Sequence, residues 1–136
     1  ISYYIDPEHA DLEEITTLLH QEEQSVHVQV AFGQYLDILP LRASKGLALR
    51  YVVDRKGLPL ESVFVAGGSG ADEDMMRGNT LATVVANRHH EELSQLVEIN
   101  RIFFSKQAHA WGILEALEYY DFFGICKDPQ EELWES

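Results

Sequence analysis

The stretch from Val63 to Met76 limits this chain to few folds. A short apolar run, Ser62 to Ala66, has the length and β-branched content of a buried strand. Gly67, Gly68, Ser69 and Gly70 break it, and Asp72 opens a helix with Glu73 and Asp74 in its first turn. A strand, a glycine turn and a helix N-terminus together aim backbone N–H groups at a point where an anion can sit. The glycines do not fall in the G-x-G-x-x-G register of a dinucleotide site.

The rest of the chain alternates strands with helices around that stretch. Ile1 to Ile5 reads as a strand, and Leu12, Ile15, Leu18 and Leu19 give a helix with one apolar face. Val26, Val28 and Val30 alternate with polar residues, Gly33 bends the chain, and Tyr35 to Leu39 forms the next strand, closed by Pro40. A helix runs from Ser44-Lys45-Gly46 to near Gly57. After the glycine loop, Thr80 to Ala86 is a buried-type strand, Glu91 to Val97 a helix and Ile102 to Phe104 a last strand. Ala108 to Tyr120 follows as a helix with Ile113, Leu114 and Leu117 inward. This order predicts an α/β fold with a parallel, three-layer core. The acidic tail, from 125 to 136, is expected to be loose.

Composition removes several classes of function. With 23 acidic and 10 basic residues the net charge is −13, so the chain lacks the basic footprint that nucleic acid requires. An anionic membrane surface is disfavoured for the same reason, and no apolar run approaches transmembrane length. Cys126 is the sole cysteine, which excludes a disulfide framework and suits a reducing, cytoplasmic setting. His89 and His90 are adjacent, so on a helix they point about 100° apart and do not converge on one ion. The chain begins at Ile1 in mid-pattern, which is expected of a C-terminal piece of a longer polypeptide.

Gly67-Gly68-Ser69-Gly70-Ala71-Asp72 resembles the fourth motif of the haloacid-dehalogenase superfamily of phosphohydrolases, in its sucrose-phosphate phosphatase branch, where it reads roughly GDSGND. Lys45, in a Lys-Gly pair opening a helix, resembles the family lysine that contacts the transferring phosphoryl group. Asn87 resembles the family asparagine that follows the next strand, although Arg88 stands where the family has a small residue. The closing stretch from Phe103 to Phe123 is similar to the end of these phosphatases, and closer still to the phosphatase-like domain that ends many sucrose-phosphate synthases.

The resemblance implies a Rossmann-like core, with residues 41–124 its C-terminal half and residues 1–40 the end of an inserted α/β cap. It implies phosphate donors at Ser69, Gly70 and Asn87, a phosphoryl contact at Lys45, and magnesium as cofactor. Two departures matter. Gly68 occupies the position of a direct magnesium ligand, and Ala71 replaces the family asparagine. Asp72 survives, and two roles fit it: a helix cap or an outer partner of the metal. The family nucleophile, in an Asp-x-Asp motif, would precede Ile1. The expected function is therefore a phosphatase-like module at the end of a sucrose-phosphate synthase, impaired in catalysis, that senses sucrose 6-phosphate or docks a separate phosphatase. The alternative is an active magnesium-dependent sucrose-6-phosphate phosphatase.

Overall fold

The computed structural model describes residues 1–6, 8, 11–22 and 25–125. The acidic tail from 126 onward, with Cys126, lies outside them. The described residues build two sheets. The first is antiparallel and comes from the N-terminal part of the chain: β1 (Ser2–Tyr4), β2 (Val26–Ala31) and β3 (Tyr35–Pro40), in the order β1-β3-β2. Strands β2 and β3 pair from Val26↔Pro40 to Ala31↔Tyr35, and Phe32 and Gly33 turn between them, both in the left-handed region (φ 55° and 66°). That conformation suits Gly33 and strains Phe32.

Helix α1 (Leu12–Gln21) starts where expected because Asp11 accepts from the Glu13 and Glu14 amides. Its apolar face is only half covered: Ile15 and Leu19 are partly buried, whereas Leu18 stays 53% exposed.

The second sheet is parallel, β4 (Phe64–Gly67), β5 (Leu81–Val84) and β6 (Ile102–Phe104), in that order. Val65, Ala82 and Val84 meet Met76, Leu93, Leu96 and Ile102 in one buried cluster. Helix α2 (Lys45–Lys56) starts at Ser44, whose hydroxyl accepts from the Leu47 amide, and packs against the short α3 (Glu73–Met76). Helix α4 (His109–Tyr119) packs on β5, and α5 (Phe122–Ile125) packs on α4. The α/β class and the parallel sheet agree with the alternation in the sequence. Among the described residues no helix is long and apolar enough to cross a membrane.

Two elements differ from expectation. Residues 91–97 form no helix; turns run through residue 95, with Ser94 N bonded to Glu91 O and Leu96 N to Leu93 O. The Glu92 amide donates to the His89 imidazole, a local bond that competes with the helical ladder. The apolar spacing still counts, since Leu93 and Leu96 are buried.

In α4 the buried residues are Gly112 and Ala116; Ile113 and Leu117 are half-buried, whereas Leu114 is 53% exposed. Small residues four apart bring the helix backbone close to its neighbours. Leu114, two residues from each, then faces the other way.

Tyr120 closes this packing by donating its hydroxyl to the Ala82 carbonyl at 3.2 Å. Burial, with Tyr119 beside it, pushes the phenol from its usual 10.0 up to about 12. A raised folded value means that the contribution is complete below pH 10.0 and is lost as pH climbs toward about 12. Tyr120→Phe is accordingly expected to narrow its stability gap to the parent at about pH 11 relative to neutral pH, as read by urea unfolding. A constant gap would show that the hydroxyl proton does not matter.

Candidate functional site

The site forms where β4 and β5 end, the usual position for a ligand in an open parallel sheet. After Gly67 the chain turns through Gly68 and Ser69 into a single 3-10 turn, Gly70–Asp72. The Asp72 carboxylate reaches back into that turn. One oxygen accepts from the Gly68 amide, the Ser69 amide and the Ser69 hydroxyl, each at 3.0 Å. This is the backward reach of a capping box, drawn from the third residue of the turn. Gly67 is required there, because a Cβ on it would lie 2.5 Å from the Asp72 side chain.

Lys45, the first residue of α2, supplies the second partner: its ammonium donates to the other Asp72 oxygen at 2.5 Å. Gly46 follows with its amide on Asp74 Oδ2 at 2.9 Å, and a Cβ on it would sit 2.7 Å from the Asp74 carbonyl. The Lys-Gly pair thus serves two purposes, a charge at the loop and a close approach of α2 to α3. Burial raises the Asp72 pKa, but the Lys45 hydrogen bond and the Gly68 and Ser69 amides outweigh it, so the carboxyl titrates below its usual 3.8.

Asn87, just past β5, accepts from the His109 amide at 2.8 Å, and its amide nitrogen lies 3.2 Å from the His109 ring. It therefore joins the end of β5 to the start of α4. Arg88 does not crowd this turn: its guanidinium lies over the Phe104 ring, 5.0 Å from the centroid. A cleft of about 320 Å³ opens here, lined by Phe32, Gly67, Gly68, Asn87, His109 and Ile113. Phe32 comes from the turn between β2 and β3, and the others from the ends of the parallel strands and from α4, so the two layers share the cleft. Like Phe32, His109 has a left-handed backbone (φ 54°), and strained residues of this kind cluster at functional sites.

The structure brings Lys45, Asp72, Ser69 and Gly68 together and places Asn87 on the neighbouring cleft. It also assigns the loop donors inward. Ser69 gives both its amide and hydroxyl to Asp72, and Gly70 gives its amide to Glu92 at 2.7 Å, so an anion at these groups competes with carboxylates already in place. Lys45 differs, because an ammonium has three donors and its side chain is 52% exposed.

As a cap, Asp72 serves the 3-10 turn rather than α3, on which its side chain makes no capping bond. Glu73 pairs with Arg77 and Asp74 holds α2, so neither faces the loop. Magnesium needs several oxygen ligands. Both Asp72 oxygens are engaged, and among the described residues no group of three or more His, Cys, Asp or Glu could hold a metal. Taken alone, these residues do not make a magnesium site.

Phe32, His109 and Glu92 had no signal in spacing or motif. They are recruited by packing between segments far apart in sequence.

The family model described as sucrose-6F-phosphate phosphohydrolase matches residues 1–121. The chain is 28% identical over 123 residues to a glucosylglycerol-phosphate synthase of Pseudomonas anguilliseptica, covering 90% of this chain and 16% of that protein. Its fold is similar to the sucrose-phosphatase of Synechocystis sp. PCC6803 in complex with sucrose and phosphate, with a TM-score of 0.79 and 28% identity over 89% of this chain and 51% of that one. A phosphatase of the haloalkanoate (HAD) enzyme superfamily from Bacteroides thetaiotaomicron shares the fold at a TM-score of 0.67 and 16% identity, over 89% of this chain and 41% of that one. The chain therefore spans from 16% to about half of these relatives. With a Rossmann-like haloacid-dehalogenase core, a Lys45–Asp72 pair at its glycine loop and a model match over nearly all its length, the chain belongs to the sucrose-6F-phosphate phosphohydrolase family.

Proposed function

We propose that this chain is part of a phosphatase-like module carried by a glycosyltransferase of the sucrose-phosphate synthase type, and that it binds a sugar phosphate without efficient hydrolysis. The observation that carries this reading is the donor set at the loop. Gly68 stands where the family resemblance calls for a metal-ligating aspartate, and Asp72, the acid that remains, is engaged on both oxygens. Magnesium supplies much of the charge stabilisation in phosphoryl transfer, so losing a direct ligand costs the chemical step more than it costs binding. The synthase relative supports a fused parent.

Binding falls to Lys45, whose remaining donors reach solvent, and to the cleft beside Asn87. The ammonium attracts the phosphoryl oxygens, and the cleft takes the sugar between the two layers. A sucrose 6-phosphate ligand, a separate phosphatase as partner and a cytoplasmic setting belong to this reading.

The second reading, an active magnesium-dependent sucrose-6-phosphate phosphatase, is favoured by one observation. The Lys45–Asp72 pair is assembled at 2.5 Å, as a working loop needs.

Phosphate release from sucrose 6-phosphate with magnesium, by the intact protein and its Gly68→Asp variant, separates the two. A Cβ at Gly68 would lie 3.1 Å from a Val85 methyl and 3.5 Å from Arg88 Cα, so the variant is expected to fold at a cost of about 1 kcal/mol. We expect no release by the parent and a gain in the variant. Clear turnover by the parent would sink the impaired reading.

A further inference from the structure

Glu92 sits where three segments meet, and neither the cleft nor the lysine–aspartate pair uses it. One of its carboxylate oxygens accepts from the Gly33 amide at 2.7 Å, in the turn between β2 and β3. The other accepts from the Gly70 amide, also at 2.7 Å, in the glycine loop. The Glu92 side chain is only 11% exposed. We propose that Glu92 is a positioning residue, a latch that holds the β2–β3 turn of the cap down on the glycine loop of the core.

The surroundings are built for this contact. A Cβ on Gly70 would lie 3.1 Å from Glu92 Cβ and 3.2 Å from the Val30 carbonyl, so a side chain there would push the cap strand off the loop. On the other side, a Cβ on Gly33 would lie 3.3 Å from the His89 ring, and the His89 amide donates to the Gly68 carbonyl at 2.7 Å. Both layers thus converge on the 87–92 segment. Beside the latch, an open cleft of about 420 Å³ separates α1 and β2 from the glycine loop and α3, with Glu92 in its wall. The layers are therefore held here by a few directed bonds rather than by continuous packing.

The chemistry requires a carboxylate. Two N–H donors converge from opposite sides, and only a group with an acceptor at each oxygen satisfies both. Glutamine matches the shape but turns an NH2 toward one donor. The latch also bears on Phe32, which adjoins Gly33, lines the candidate cleft and holds a strained backbone (φ 55°). Strain of this kind persists only while the surroundings enforce it. Holding Gly33 keeps Phe32 in the wall of the cleft that Gly67 and Gly68 also line.

Amide hydrogen exchange on the intact protein and its Glu92→Gln variant tests the latch without relying on turnover. Peptides covering 31–36 and 67–72 are expected to exchange about tenfold faster in the variant, while β5 and α4 stay unchanged. Unchanged exchange in both segments would overturn the proposal. So would a uniform rise across β5 and α4, which would make Glu92 a general stability residue.

A second readout compares ligands. A latch predicts about tenfold weaker binding of sucrose 6-phosphate in the variant with inorganic phosphate unaffected, because only the larger ligand spans both layers. This arm rests on the sugar-phosphate reading. Faster exchange with no change in either affinity would uphold the latch and count against that reading instead.

Discussion

Asp72→Ala is expected to cost the intact protein about 3 kcal/mol of stability at neutral pH. The carboxylate satisfies the Gly68 amide, the Ser69 amide and the buried Ser69 hydroxyl, and its own side chain is 12% exposed. Each buried donor left without an acceptor costs about 1–3 kcal/mol, with water entering the turn to recover part of it. The Lys45 partner adds little to this sum because the lysine is half exposed and its charge is screened.

The pH dependence fixes the sign. The folded carboxyl titrates below 3.8, so its contribution is present above that value and is lost as pH falls through the lowered folded value. Urea unfolding of parent and variant at neutral pH and in acid should show the gap between them closing as pH falls. A gap of the same size throughout would mean that Asp72 acts by filling space. Without Asp72 the loop also loses its tie to Lys45, so sugar-phosphate binding should weaken together with stability.

Gly112→Ala is expected to destabilise by about 2 kcal/mol, against the usual direction for such a change. In the interior of a helix, glycine to alanine ordinarily gains about 1 kcal/mol. Here a Cβ would collide with the Gln107 carbonyl oxygen and lie 2.9 Å from the Ser105 hydroxyl and 3.1 Å from a Val85 methyl. The first of these is backbone, and it already accepts from the Ala86 amide and the Ser105 hydroxyl. It cannot step aside without disturbing the end of β5. Overpacking of this kind costs about 1–3 kcal/mol or more, which exceeds the propensity gain. Helix α4 must retreat, and with it the His109 amide that Asn87 accepts from. Thermal or urea unfolding decides the sign. A variant more stable than the parent would show that the close contact between α4 and the 105–107 loop is not maintained in solution.

The site was legible wherever a local rule placed a backbone. Ser44 before Lys45 caps α2, and Ser62 to Ala66 followed by the glycines announces a strand and a turn, displaced by about two residues at the strand's start. The resemblance singled out Lys45 and Asp72 separately, and their hydrogen bond to each other is a feature of the structure. Residues 91–97 show the limit. Their apolar spacing fits a helix, and the leucines are buried as that spacing implies, yet Glu92 spends its carboxylate on Gly33 and Gly70. Those partners lie 59 and 22 residues away, beyond the reach of any periodicity.

By itself, the sequence determined the α/β alternation, the glycine loop and the family, because these depend on spacing within one segment. Only the tertiary structure decided which donors of the loop remain free, which face of α4 turns inward, and that Phe32 and Glu92 belong beside the site. Each of those depends on groups from separate layers competing for the same hydrogen bonds and the same space. Such a competition has no outcome until the layers pack.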